Sequence, residues 1–386
     1  MRIAIVGPGF TGATFPLAQY FVKAGHDVDC YYFTVSGKMS IESLDFSHPI
    51  SMRRVVEQIP HSNTLYRYLD SRVGVYIMPV LKRHYRLEKY VIGNVFRWIN
   101  NVRLNLFNRF FLKQGYEKVI LIDHSDETHN LALTLRKKKI KFITTYHEVQ
   151  VNLIHGGMRR EVVESMSMGN EVVVHCNDIR DKVIMESGIV NIKDRMSVFR
   201  VGPFESLWQY EGGKPFNGLE PGFLLFIGRI IPYKGLKYLC EAVDLLSVKY
   251  NLRVVIAGIG NDDTLEKIKS DTRYTLINRF VENDEMVWLT RNCTAVACPY
   301  LAASQSGMIP LSMAYGKPMI ATKVGAFAEV VEEGKNGYLA EPGDSKDFAR
   351  AIEKCLINQK SFKLEIQKDL SWDYISKQYL DLLQKI

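Results

Sequence analysis

The sequence predicts two Rossmann-like α/β domains facing each other across a cleft, on three observations. The first is that short apolar runs alternate with segments of helical period from end to end, the pattern of parallel sheets covered by helices on both faces. Runs near 2–6, 28–33, 118–122, 141–145, 171–175 and 197–201 supply strands for a first domain; runs near 223–227, 252–257, 275–277, 294–298, 318–321 and 337–339 supply those of a second. The second observation is a break in this alternation. Between Val201 and Gly222 periodicity is lost and Gly202-Pro203, Gly212-Gly213, Pro215 and Pro221-Gly222 gather, as in a linker. The expected division is therefore 1–203, a linker over 204–220, and 221–371. The third is the last segment, Trp372 to Ile386, where Ile375, Tyr379, Leu382 and Leu383 fall at helical spacing and are expected to close back onto the first domain. A chain of 386 residues is long enough for two such domains. Ligands of open α/β sheets bind beyond the carboxyl ends of the strands, so the expected site lies between the domains.

Composition narrows the setting. No window approaches the length of uninterrupted apolar sequence that a membrane span needs, and Met1 leads directly into Ile3-Ala4-Ile5-Val6, so a cytosolic protein is expected. Six widely spaced cysteines, Cys30, Cys176, Cys240, Cys293, Cys298 and Cys355, read as reduced core residues. The net charge of +8 suits an anionic partner. Its excess is concentrated between Arg53 and Lys113, where only Glu57, Asp70 and Glu88 oppose a long series of Arg and Lys. Nucleic acid is not expected, because no basic face interleaved with stacking aromatics is readable. Within the same region Val91, Val95, Trp98, Ile99, Val102 and Leu106 share one helical face, with Arg97 and Arg103 off it. That apolar stripe is expected to pack on the first sheet, while the basic surface offers a peripheral contact with an anionic membrane on its inner face.

Two loops carry the chemistry. Phe226-Ile227-Gly228-Arg229 runs into Pro232-Tyr233-Lys234-Gly235 and the amphipathic Leu236, Leu239, Ala242, Val243 and Leu246. The other loop, Ser304-Gln305-Ser306-Gly307-Met308-Ile309-Pro310, precedes Met313-Ala314-Tyr315-Gly316-Lys317-Pro318. Loops of this kind at helix starts attract anions, and Arg229 with Lys234 suits two phosphates. At the other end of the chain, Gly7-Pro8-Gly9-Phe10-Thr11-Gly12 matches the dinucleotide fingerprint. However, Tyr31-Tyr32-Phe33 stand where the ribose-binding acid of that fingerprint belongs, so the turn is read as a cleft loop: Gly9, Phe10, Thr11 and Gly12 let substrate approach, with Thr11 as a hydroxyl donor. Asp123, His124 and Asp126 follow another strand; their spacing fits no defined metal motif, and they are taken as strand-end polar residues, with His124 placed at the acceptor side. His155 is a weaker candidate.

At Gly228-Arg229…Lys234-Gly235, Ala257-Gly258-Ile259-Gly260, Asn278-Arg279-Phe280-Val281, Cys298-Pro299-Tyr300 and Gly325…Glu329-Val330…Gly334…Asn336-Gly337 the second half resembles the retaining glycosyltransferases of family 4, with the GT-B fold. The first half resembles them more loosely, through Gly25-His26-Asp27-Val28 and Thr144-Thr145-Tyr146-His147-Glu148. The resemblance implies sugar transfer from a nucleotide diphosphate donor to a glycan or lipid-linked acceptor, with no cofactor and no obligatory metal. By the same match Arg229 and Lys234 contact the pyrophosphate and His147 contacts the donor sugar. Gly228, Gly258, Arg279, Phe280, Val281 and Glu329 join the donor side, with a helix-capping role for Glu329 equally open.

One departure from the family pattern stands out. Members carry an acid, seven residues, then a second acid before Ala-Met-Ala-x-Gly, whereas Ala303 and Leu311 occupy those places here. The expectation is an active enzyme in which Gln305, Ser306 and the amides of Gly307 and Met308 replace the acidic clamp. The alternative is a non-catalytic nucleotide-sugar-binding partner or sensor.

Overall fold

The computed structural model describes residues 1–9, 11–35, 39–41, 44–46, 54–63, 66, 68–80, 91–149, 157–210, 213, 215–216, 218–359, 362 and 365–386. Phe10 and His155, with Gly212 of the expected linker, lie outside the described residues.

The first domain is built on strands β1 (Arg2–Gly7), β2 (Asp27–Val35), β5 (Glu57–Gln58), β6 (Gly74–Val80), β7 (Lys118–Ile122), β8 (Phe142–Tyr146), β9 (Glu171–Val174) and β10 (Met196–Val198), with a separate hairpin of β3 (Met39–Ile41) and β4 (Leu44–Phe46). Its eight-stranded sheet runs β10-β9-β8-β7-β1-β2-β6-β5 and is parallel except at β5. Helices α1 (Thr11–Lys23), α2 (Val91–Lys113), α3 (Asp126–Lys137), α4 (Arg160–Met168) and α5 (Asn177–Glu186) connect the strands. Strands such as β1, buried along Ile3–Gly7, are apolar on both faces because helices cover both. The second domain is a six-stranded parallel sheet, β13-β12-β11-β14-β15-β16. Its strands are β11 (Phe223–Ile227), β12 (Val254–Ala257), β13 (Tyr274–Ile277), β14 (Cys293–Cys298), β15 (Met319–Thr322) and β16 (Gly337–Ala340). Its helices are α6 (Leu236–Leu246), α7 (Thr264–Lys269), α8 (Asn283–Asn292), α9 (Met308–Ala314), α10 (Gly325–Val330) and α11 (Ser345–Ile357). Two Rossmann-like domains are thus present.

Helix α12 (Trp372–Lys385) returns to the first domain, where Trp372, Ile375, Tyr379, Leu382 and Leu383 join the core formed by β1, α1 and β2. Polar contacts fix it there. Trp372 Nε1 donates to Pro203 O at 2.8 Å, and Lys385 pairs with Glu171 at 2.8 Å. The six cysteines are buried free thiols. Among the described residues no helix is long and apolar enough to cross a membrane.

Two sequence expectations need correction. Strand β6 was not anticipated, because Pro79 lies inside it. The proline is tolerated because the short neighbour β5 pairs only with Tyr76 and Ile77, so no ladder hydrogen bond is asked of residue 79 on that side. The second concerns α2, whose sheet-facing side is formed by Leu104, Phe107 and Phe111 packed with Tyr31, Phe33, Met78 and Val80. Of the expected stripe, Val95, Trp98, Val102 and Leu106 lie on another side and are exposed, Ile99 is partly buried, and the side chain of Val91 lies outside the described residues. Arg103 is also not a surface cation in the expected sense, since it donates to Pro79 O at 3.2 Å and Arg54 O at 2.7 Å.

Candidate active site

The carboxyl ends of β8, β11, β12 and β14 converge on one pocket of about 350 Å³ between the domains. His147 and Glu148 enter from the end of β8, and Phe204 from the crossing segment. Gly228, Arg229, Tyr233 and Lys234 come from the loop after β11, Gly258 and Ile259 from that after β12, and Phe280 and Val281 from that after β13. Gln305, Ser306, Gly307 and Met308 close the other wall, together with Ala303 and Leu311 at the places of the missing acids.

Local backbone explains why these loops can approach so closely. Gly228 and Gly258 have φ of 124° and 142°, a region that side chains rarely adopt. A Cβ on Gly258 would stand 1.9 Å from Gly228 O, and one on Gly228 would meet the Lys234 ammonium at 3.4 Å. Beside Gly228 stands Lys234, whose Nζ donates to Tyr300 Oη at 2.7 Å and lies 4.4 Å from the Tyr300 ring centroid. Tyr300 is buried and its phenol is pushed well above its ordinary value, first by desolvation and then by Cys298, so it remains a neutral partner. Burial likewise raises the Tyr233 phenol, with the nearby Arg229 charge opposing the shift.

His147 is held from behind. Asp123, at the end of β7, has the left-handed φ of 50° and accepts the His147 backbone N–H at 2.7 Å and its Nδ1–H at 2.9 Å. Because a carboxylate only accepts, the bond fixes the proton on Nδ1 and makes Nε2 the basic nitrogen. The ring packs against His175 with centroids 4.2 Å apart and planes tilted by 34°. His175 Nδ1 donates to Phe199 O at 2.7 Å, and its Nε2 meets Thr145 Oγ1 at 3.2 Å, which also meets Tyr379 Oη of α12 at 3.2 Å. Burial, then His147, pushes the His175 imidazole down to about 3, so it is neutral. Across the cleft, Ser304 Oγ donates to His147 O at 3.2 Å and links the two walls.

The remaining expected residues stand elsewhere. Arg279 lies beside the pocket, where it forms a two-pronged pair with Glu285 at 2.6 and 2.8 Å. Glu329 reaches from α10 to the other domain, where it accepts from the amides of Asn177 and Asp178 at 2.8 and 3.3 Å and from Asn177 Nδ2 at 2.7 Å, and pairs with Arg200. It thus caps α5 across the domain boundary, a capping partner different from its own helix. Thr11 and Gly12 are buried in the first turn of α1, outside the pocket lining, while a Cβ on Gly9 would meet nothing within 4 Å. His124 turns away from the pocket to Ser165 Oγ at 2.9 Å, which His129 also meets at 3.0 Å. Burial, reinforced by His129, holds the His124 imidazole below its ordinary value. The Met308 amide donates to Ser306 Oγ at 3.3 Å, and Gln305 Nε2 to Ser306 O at 3.1 Å. Among the described residues no group of three or more His, Cys, Asp or Glu could hold a metal ion.

Tyr300 and Asp123 carry more of this geometry than their sequence context suggests, and Asn283 also lines the pocket. Tyr300 and Asp123 both follow strand ends, the signal that also marks His147.

Known proteins share this fold and part of this sequence. Residues 221–358 match the model for glycosyl transferases group 1. The chain is 25% identical over 259 residues to an uncharacterized glycosyltransferase of Methanocaldococcus jannaschii, a match covering 63% of this chain and 68% of that protein. It is 26% identical over 285 residues to the D-inositol 3-phosphate glycosyltransferase of Corynebacterium urealyticum, covering 64% of this chain and 66% of that protein, just under two thirds of the relative's length. In fold it is similar to Anabaena HepE in complex with UDP and glucose, with a TM-score of 0.60, 14% identity and coverage of 100% and 98% of the two chains. The chain has the fold of the GT-B glycosyltransferases, and its second domain is similar in sequence to the glycosyl transferases of group 1.

Proposed function

We propose that this chain moves a sugar from a nucleotide diphosphate donor to an acceptor hydroxyl with retention of the anomeric configuration, without metal or cofactor. The carrying observation is that Arg229 and Lys234 of one domain line the same pocket as His147 of the other. A departing diphosphate gains negative charge as the glycosidic bond breaks, so the two cations stabilise the transition state more than the bound donor. Tyr300 keeps the Lys234 ammonium aimed while neutralising none of its charge. His147, oriented by Asp123, meets the donor sugar near the reacting carbon. Half-exposed Phe280 and Ile259 give the base an apolar rim, and Gln305 and Ser306 take over polar contacts that the absent acids would make. HepE, similar in fold, is in complex with UDP and glucose, which supports this class of donor.

In this reading residues 221–371 hold the donor and 1–203 with the closing helix the acceptor, joined by 204–220, with the loop of Gly9 to Gly12 on the acceptor side. The retaining outcome and a cytoplasmic role in cell-surface polysaccharide or glycolipid synthesis rest on the resemblance of the motifs. Peripheral contact with an anionic membrane belongs to the same reading, because a lipid-linked acceptor is presented there.

A thermal-shift panel of UDP, GDP, ADP and CMP sugars identifies the donor, since a ligand that binds the native state raises the midpoint. NMR of the product's anomeric signal then tests retention. No midpoint shift with any of the four, or an inverted product, contradicts the reading.

A further inference from the structure

We propose that the outward face of α2 is the surface by which the protein docks on an anionic lipid bilayer. Val95, Trp98, Val102 and Leu106 recur at helical spacing along that face and are 48%, 66%, 39% and 44% exposed. Large apolar side chains in one row on a soluble surface mark an interaction site, while scattered ones do not. They are not the helix's core face, which is occupied by Leu104, Phe107 and Phe111.

Charge selects the occupant. The 23 residues of α2 include no Asp or Glu, and Arg109 and Lys113 continue the same outward row past Leu106. An apolar row ending in cations, without an acid on the helix, is complementary to anionic headgroups over acyl chains. Trp98 suits the headgroup boundary, where an amphipathic ring is stable. Arg103 takes no part, because its guanidinium is engaged with Pro79 O and Arg54 O.

Position supports the same occupant. Lys113 is a short turn from the start of β7, at the end of the sheet away from the pocket, so α2 runs back from the cleft side and its Val95 end lies nearer the cleft. A bilayer under this face brings a lipid-linked acceptor to the first domain. The inference deepens the membrane part of the proposed function and uses nothing of the donor site.

The test is sedimentation of the full chain with phosphatidylglycerol–phosphatidylcholine vesicles and with phosphatidylcholine alone, at low and high salt, alongside donor hydrolysis without vesicles. Wild type should pellet with the anionic vesicles at low salt, with Trp98 emission shifted to the blue. Trp98→Ala with Leu106→Ala should lower the bound fraction about tenfold or more, since two apolar side chains no longer leave water. Arg109→Glu with Lys113→Glu should abolish the preference for anionic vesicles, because that attraction is electrostatic and screened. Both variants should hydrolyse donor as wild type does. Wild type that hydrolyses donor but ignores anionic vesicles overturns this surface and leaves the transferase reading standing. Variants that pellet like wild type overturn it too, as does a wild-type dimer in light scattering that Trp98→Ala dissociates, which assigns the row to a second copy of the chain.

Discussion

The Asp123 carboxylate holds His147 at two points, the backbone N–H at 2.7 Å and Nδ1 at 2.9 Å, from a left-handed backbone conformation at a strand end. Non-glycine residues in that region are held there by their surroundings, and they gather at functional sites. Asp123→Asn offers Nδ1 a donor in place of an acceptor and disturbs the tautomer. We expect turnover to fall about 10–100-fold, the range for residues that orient an active group, with donor affinity measured by calorimetry nearly unchanged. An equal loss in both would make Asp123 a structural residue only.

Removal of either cation should act mainly on turnover. Arg229→Ala and Lys234→Ala are each expected to slow transfer about a hundredfold, or about 2.7 kcal/mol of transition-state stabilisation. Tyr300→Phe deletes only the acceptor of the Lys234 hydrogen bond and should cost about tenfold in kcat. Steady-state rates at saturating donor check all three; a Tyr300→Phe defect larger than that of Lys234→Ala would contradict the order of roles.

Gln305 is the side chain proposed to stand in for an acid. Gln305→Ala should lower kcat/KM or change sugar preference by about 1–3 kcal/mol. Competition between two donors measured for both proteins decides it, and unchanged selectivity with unchanged rate removes Gln305 from the site.

Glu329 joins the domains, so its loss should appear in stability before chemistry. Glu329→Ala leaves Arg200 and the first amides of α5 without this partner, at an expected cost of about 1–3 kcal/mol in urea unfolding. A variant as stable as wild type, with donor affinity lost instead, would return Glu329 to the donor site.

Stability should also depend on pH through His175, pushed down to about 3 by burial and His147. With its folded value below the unfolded one, the imidazole is neutral in the fold and takes up a proton on unfolding below about pH 6.5. Its contribution is complete above that pH and is lost as pH falls toward 3, at up to about 1.4 kcal/mol per unit. Urea unfolding at pH 7 and pH 5 should give a smaller loss for His175→Gln than for wild type; equal losses contradict the assignment.

Much of the architecture was legible because parallel strands covered on both faces read as continuous apolar runs, as Phe223–Ile227 does. Strand β6 was not, since Pro79 argues against a strand unless its neighbour is known to be as short as β5. The face of α2 was misjudged for a related reason: periodicity finds Val95, Trp98, Val102 and Leu106 in one row, yet Leu104, Phe107 and Phe111 form a second apolar row, and only packing decides which is covered. His147 and Arg229 could be placed by their positions after strands together with the family resemblance of their motifs, and Gly258 by that resemblance. The partners of Glu329 could not, because Asn177 and Arg200 are distant in sequence and belong to the other domain.

The central claim is that the pocket of Arg229, Lys234 and His147 breaks the bond between a sugar and a nucleoside diphosphate. The direct measurement is release of nucleoside diphosphate from the donor found in the thermal-shift panel, with a cell-derived acceptor pool, for wild type and for Arg229→Ala with Lys234→Ala. The account predicts steady release by wild type and a loss of about a hundredfold or more in the variant. Wild type that binds the donor but releases no diphosphate, with or without acceptor, would contradict it and identify the chain as a nucleotide-sugar-binding protein.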